Sequence, residues 1–116
     1  MGREILKLVM ENDKFRLIGA LENENCVEIG QDAFRFIGKS CGVKISDNPD
    51  TISFKRQYNL VLIDFSSPKN TIDMLDLCVS KSVGMVIGTT GFSEKELQLL
   101  EKASKTIPIL YAPNMS

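Results

Sequence analysis

Histidine is absent from the 116 residues. With it go the commonest general base and the commonest nitrogen ligand for transition metals. Cysteine is scarce: Cys26, Cys41 and Cys78 are odd in number and form no C-x-x-C pair. That argues against a disulfide framework or a thiolate zinc site, and it points to a reducing cytoplasm. No apolar run approaches the ~20 residues needed to cross a bilayer. The opening Met1-Gly2-Arg3-Glu4 lacks the apolar core of a secretion signal. An excess of one charge is missing too. Fourteen Lys and Arg against 15 Asp and Glu leave a net charge of −1, which gives no electrostatic footprint for nucleic acid or an anionic membrane. Repeats and low-complexity segments are likewise absent.

What is present is the composition of a globular chain, 43% hydrophobic and 25% charged, long enough for one domain around a single core. No internal domain boundary is visible. The stretch that organises the rest is Gly84-Met85-Val86-Ile87-Gly88-Thr89-Thr90-Gly91-Phe92. Consecutive apolar residues 85–87 predict a short strand covered on both faces. Gly88 and Gly91 bracket two threonines, and Ser93-Glu94-Lys95-Glu96 follows as a capping box. The turn therefore lies between the carboxyl end of a strand and a helix. In open α/β sheets that edge binds ligands. Taken by itself, Gly-Thr-Thr-Gly reads equally well as a ligand loop or as a tight strand-to-helix turn.

Around it the chain alternates. Residues 1–12 form an amphipathic helix with Ile5, Leu8 and Val9 on one face and Leu6 and Met10 beside it. Phe15 to Leu21 reads as a strand that ends at the polar tip Glu22-Asn23-Glu24-Asn25. Glu22 is either part of a solvated acidic loop or the acid that accepts ribose hydroxyls in a dinucleotide fold. Residues 25–50 are an irregular excursion of short strands and turns, with Asn48 capping a short helix that opens on Pro49. Asn59 to Phe65, with four consecutive aliphatics, reads as a central parallel strand buried on both faces. Asp64 near its end either meets a ligand or, more economically, bonds nearby backbone. Ser67 caps, and Pro68 opens, a helix to about Ser80 that turns Thr71, Leu75 and Cys78 inward. Cys78 there is a small core residue, not a nucleophile. A helix over 93–105 packs through Leu97, Leu100 and Ala103, and Ile107 to Tyr111 is a last strand, its Pro108 suited to an edge. Strands alternating with helices predict an α/β fold with a parallel, doubly wound sheet.

Five motifs stand in order: Met1-Gly2-Arg3; Gly19-Ala20-Leu21-Glu22; Ile63-Asp64-Phe65-Ser66 with Pro68 after it; Val86-Ile87-Gly88-Thr89-Thr90-Gly91-Phe92; and Tyr111-Ala112-Pro113-Asn114-Met115-Ser116. Together they resemble the N-terminal half of the 4-hydroxy-tetrahydrodipicolinate reductases (dihydrodipicolinate reductases) of lysine and diaminopimelate biosynthesis. The resemblance covers nearly the whole chain. It implies that residues 1–116 are a partial NAD(P)-binding Rossmann domain, lacking the first strand and most of the glycine-rich loop. The substrate and tetramerisation domain of the family, with its paired histidines and lysine, belongs beyond residue 116. The fragment alone is then expected to be inactive, and the full-length protein a cytoplasmic homotetramer acting on a small cyclic dicarboxylate.

The resemblance also assigns residues. Met1 ends the pyrophosphate loop and Glu22 holds the adenosine ribose. Gly88, Thr89 and Thr90 line the nicotinamide-ribose half, with Thr90 also approaching the substrate carboxylate. Ala112, Pro113, Asn114 and Met115 form the opposite wall. Where the family often carries an arginine able to meet the 2′-phosphate of NADP, this chain has Asn23. That leans the cofactor choice toward NAD, with Arg3 as a substitute cation for the phosphate. Two other readings stay open: another NAD(P)-dependent Rossmann oxidoreductase, and a non-catalytic nucleotide-binding module. A continuation carrying His-His and a lysine would select the first reading over the second. A Gly88–Gly91 turn buried in packing would favour the third.

Overall fold

In the computed structural model, residues 2–12, 14–22, 25–52 and 59–112 are described below. The chain divides into two compact units, Met1–Ser53 and Phe54–Ser116. Each has its own apolar cluster, where composition alone had suggested a single core.

The first unit opens on α1 (Gly2–Glu11). Its inward stripe is Leu6 and Met10, which pack with Leu17, Ala20 and Ile29 against buried Ala33, Phe34 and Ile45. Leu8, expected on the apolar face, is exposed. Of the strand expected over 15–21 only β1 (Ala20–Leu21) forms. It pairs in parallel with β2 (Ile45–Ser46). A strand extends only as far as a neighbour can take its hydrogen bonds, and β2 is two residues long. The irregular stretch contains the expected short turns. Single 3-10 turns form at Arg35–Ile37 and at Pro49–Thr51, the second capped by Asn48, whose side chain accepts from the Asp50 N–H.

One side chain organises that stretch. The Asp32 carboxylate accepts from the N–H groups of Phe34 (2.9 Å), Cys41 (3.1 Å) and Gly42 (2.9 Å), and from the Ser40 hydroxyl at 3.1 Å. The Phe34 N–H foremost, then those of Gly42 and Cys41, hold its carboxyl well below the usual carboxylate range against an opposing desolvation. A depressed folded-state value stabilises the fold above the unfolded value of about 4, and that contribution is lost as pH falls from there. Asp32→Asn is therefore expected to lower the unfolding midpoint at neutral pH. Its gap from the parent should begin to narrow below about pH 4 and keep narrowing as the pH falls further. Midpoints measured from pH 7 down to about 2 check this; a gap that stays constant would contradict it.

The second unit alternates as the sequence suggests: β3 (Val61–Asp64), α2 (Pro68–Lys81), β4 (Gly84–Ile87), α3 (Glu94–Ala103) and β5 (Ile109–Tyr111). The three strands are parallel in the order β3-β4-β5. Both helices cover one face. Leu75 and Cys78 of α2 and Leu100 and Ala103 of α3 meet Met85 and Ile87 of β4. Leu97, expected in this packing, is exposed.

The central strand of this sheet is β4, not β3. Four aliphatics in a row had suggested that β3 was buried on both faces. Instead Val61 and Ile63 are 59% and 44% exposed, and β3 lies at an edge of the three strands. The pairing Ile63–Val86–Leu110 aligns these side chains on the face away from the helices, where Leu110 is exposed too. A run of aliphatics reports strand propensity, not which side a neighbour covers. Pro108, just before edge strand β5, needs no donor there, and its carbonyl accepts from the Met85 N–H at 2.9 Å.

Candidate functional site

The carboxyl ends of β3 and β4 and the amino end of α2 converge on the Gly88–Gly91 turn. Local chemistry sets each approach. Ser67 caps α2 by accepting from the Asn70 N–H, and Pro68 occupies the first turn. Ser93 and Glu96 form both halves of the expected capping box on α3, at 3.2 Å and 2.8 Å. Phe92, leading into it, meets Tyr111 edge to face at 5.6 Å between ring centres.

Below the turn lies a buried polar network of Asp64, Thr71 and Thr89, which are 6%, 0% and 3% exposed. Asp64 works twice. Its carbonyl accepts from the Gly88 N–H at 2.8 Å. Its carboxylate accepts from the Ser66 N–H at 2.8 Å, from the Ser66 hydroxyl, and from the Thr89 hydroxyl at 3.3 Å. The Thr71 hydroxyl reaches Thr89 Oγ1 at 3.2 Å and the Ser67 carbonyl at 3.1 Å. One proton per hydroxyl orders the chain. A carboxylate only accepts, so Thr89 donates to Asp64 and its oxygen accepts from Thr71. The Ser67 carbonyl keeps the Thr71 N–H at 3.0 Å. Among the described residues, no buried side-chain nitrogen or oxygen lacks a partner.

The two threonines of the turn thus differ. The Thr89 side chain is enclosed and its hydroxyl is engaged within the protein. Thr90 is exposed, with no hydrogen bond to the rest of the chain among the described residues. Gly91 beside it is exposed and adopts φ +90°, and a Cβ there would meet only Pro68 Cγ, at 3.9 Å. Ala112 is brought alongside, its N–H donating to the Ile87 carbonyl at 2.9 Å. Cys78 sits in the core as the sequence suggested. Burial foremost, with the Asp64 charge nearby, pushes its thiol up to about 11, which suits packing and not nucleophilic attack.

In the first unit Glu22 directly follows β1, with its N–H on the Ser46 carbonyl at 2.9 Å and its side chain exposed. Arg3 is engaged locally: it pairs with Glu28, and its guanidinium stacks 5.4 Å from the centre of the Phe36 ring. Met1, Asn23, Pro113, Asn114 and Met115 lie outside the described residues.

Sequence reasoning named Thr71 only as a packing residue and gave Ser66 and Phe65 no separate role. The available signal was Asp64 followed two residues later by Ser66, the spacing at which a carboxylate accepts its own strand-end N–H.

Comparison with known proteins agrees with this architecture. The family model described as dihydrodipicolinate reductase, N-terminus, matches residues 1–115. The 4-hydroxy-tetrahydrodipicolinate reductase of Nitrosospira multiformis is 44% identical over all of this chain and 42% of its own length. That of Burkholderia multivorans is 36% identical over all of this chain and 43% of its own length. Among solved structures, the dipicolinate-bound dihydrodipicolinate reductase of Paenisporosarcina sp. TG-14 superposes with a TM-score of 0.68 at 25% identity. It covers 97% of this chain, which covers 43% of that one. The chain spans less than half the length of these relatives. With its parallel strands, capped helices and Gly-Thr-Thr-Gly turn, it has a Rossmann-like α/β fold and belongs to the dihydrodipicolinate reductase N-terminal family.

Proposed function

We propose that this chain is the cofactor-holding part of a longer, homotetrameric cytoplasmic reductase. That enzyme converts 4-hydroxy-tetrahydrodipicolinate to tetrahydrodipicolinate with a reduced nicotinamide dinucleotide, in lysine and diaminopimelate biosynthesis. The observation that carries the reading is the division of labour within the turn. Thr89, Thr71 and Asp64 satisfy one another below it, which leaves the Thr90 hydroxyl and the open backbone at Gly91 facing solvent at the strand ends. A ligand edge there needs no rearrangement of the protein's own hydrogen bonds.

Each unit carries groups of the kind a dinucleotide needs. In the first unit the Glu22 carboxylate, exposed after β1 and unbonded among the described residues, is the acid that accepts the ribose hydroxyls in this reading. Gly88, Thr89 and Ala112 supply backbone along the nicotinamide half, and Thr90 donates to the substrate carboxylate. The same reading gives Met1 to the pyrophosphate loop and Pro113, Asn114 and Met115 to the nicotinamide side. The bound cofactor supplies the hydride. This chain orients the two rings and keeps its own hydroxyls from competing, and the remainder of the protein supplies the cations for the dicarboxylate.

Arg3 is paired with Glu28 and lies over the Phe36 ring, which, with Asn at position 23, supports NADH as the reductant. The test is steady-state reduction by the full-length protein with each cofactor, with and without Asn23→Arg. The parent should prefer NADH. The variant should gain on NADPH by about 1.5–3 kcal/mol, or 10- to 100-fold in relative kcat/KM, as for a hydrogen bond to a charged group. No turnover with either cofactor would overturn the reductase reading. Turnover with an unchanged cofactor ratio would remove Asn23 from the ribose site.

A further inference from the structure

We propose that Phe65 is the positioning residue of the Gly88–Thr90 turn, and that Gly88 is glycine to admit the Phe65 ring and not to admit a ligand. The proposal rests on the cofactor reading above for its functional consequence and on geometry for the contact itself.

The two glycines of the turn are required for different reasons. Gly91 takes a left-handed φ of +90°, with nothing but Pro68 Cγ near the place of its missing Cβ. Backbone conformation alone demands glycine there. Gly88 is not among the positive-φ residues, so its backbone is open to any side chain. What excludes one is the neighbouring aromatic ring. A Cβ on Gly88 would fall within 2.6 Å of Cδ1, Cε1 and Cζ of Phe65. Overlap with three atoms of one rigid ring cannot be relieved by a small shift of a flexible chain end.

Phe65 is well placed to act on the turn. It follows Asp64, whose carbonyl takes the Gly88 N–H at 2.8 Å and whose carboxylate takes the Thr89 hydroxyl at 3.3 Å. The turn is therefore tied to β3 by hydrogen bonds at Asp64 and seated by contact at Phe65. The ring fixes how closely Gly88 settles onto the strand end, and so where Thr90, two residues on, presents its hydroxyl. The Phe65 side chain is itself half-buried.

The test is a double-variant cycle in the full-length protein with Gly88→Ala, Phe65→Ala and both together. Thermal midpoints and NADH dissociation constants by fluorescence titration are measured on all four proteins, below every midpoint. Gly88→Ala alone is expected to lower the midpoint and to weaken NADH about tenfold or more. In the Phe65→Ala background the same change should be close to neutral, within about threefold, since coupling of this kind is confined to contacting residues. A Gly88→Ala protein that folds only when Phe65 is also replaced supports the proposal equally. If Gly88→Ala is as harmful without the ring as with it, its Cβ strikes something else and the proposal is overturned. Coupled midpoints with one NADH affinity across all four proteins would also overturn it, leaving Phe65 as packing alone. A parent that binds neither NADH nor NADPH would bring down the cofactor reading and the positioning role that rests on it. In that case additive midpoints would show separately that the ring does not explain Gly88.

Discussion

Asp64→Ala should destabilise the protein while Asp64→Asn is largely tolerated. The carboxylate is 6% exposed and takes three donors, the Ser66 N–H and hydroxyl and the Thr89 hydroxyl. Alanine removes that acceptor from the Thr89 hydroxyl, whose remaining contacts are the Asp64 carbonyl at a marginal 3.4 Å and Thr71 Oγ1 at 3.2 Å. Removing one partner of a buried, charge-assisted set costs about 1.5–3 kcal/mol, against the roughly 1 kcal/mol net value of an ordinary hydrogen bond. Asparagine keeps an oxygen where Ser66 and Thr89 point, so its penalty should stay near about 1 kcal/mol. Denaturant midpoints of both variants separate shape and acceptor from charge. Equal losses would mean that the network depends on the charge itself.

Thr90→Val should do the opposite, sparing the fold and harming catalysis in the full-length enzyme. Valine keeps the β-branched shape. Thr90 is exposed, with no bond to the rest of the chain among the described residues, so the midpoint should move by less than about 0.5 kcal/mol. If its hydroxyl meets a substrate carboxylate, losing it removes about 1.5–3 kcal/mol of transition-state stabilisation, or one to two powers of ten in kcat/KM. The contrast with Asp64 is the useful part. Neighbouring residues of one turn should divide cleanly between stability and activity. An unaltered kcat/KM for the valine variant would take Thr90 out of the site.

The elements that could be read from the sequence were those whose causes are local. Ser67-Pro68 and Ser93 with Glu96 mark helix starts because the bonds they make span only three or four residues. The apolar run 85–87 gave β4 as a strand, but only Met85 and Ile87, on the helix side, are buried; Val86, on the other face, is half-buried. The similar run in β3 misled because exposure depends on what lies across the sheet. Phe15 to Gly19 failed as strand for want of a partner long enough to pair with. Within the site, Gly88 and Thr90 were visible as a motif. The reasons for them were not: the ring under Gly88 comes from 23 residues away in sequence, and Thr71 is 18 residues from Thr89. Asp32 was invisible for the same reason, its partners Cys41 and Gly42 lying 9 and 10 positions on.

That Asp32 speaks chiefly to main-chain groups has a consequence for how the excursion can change over generations. A carboxylate that grips N–H groups makes little demand on the side chains attached to them. Positions 39 and 40 should accept wide replacement, Ser40 giving up one hydroxyl contact, whereas Cys41 also packs on the Ala33, Phe34 and Ile45 cluster and should tolerate less. Gly42, at φ +80°, should not accept wide replacement either. The information that specifies this loop is concentrated in one acid and two left-handed glycines, Gly38 and Gly42, so its exposed surface is free to drift in composition while its path stays the same.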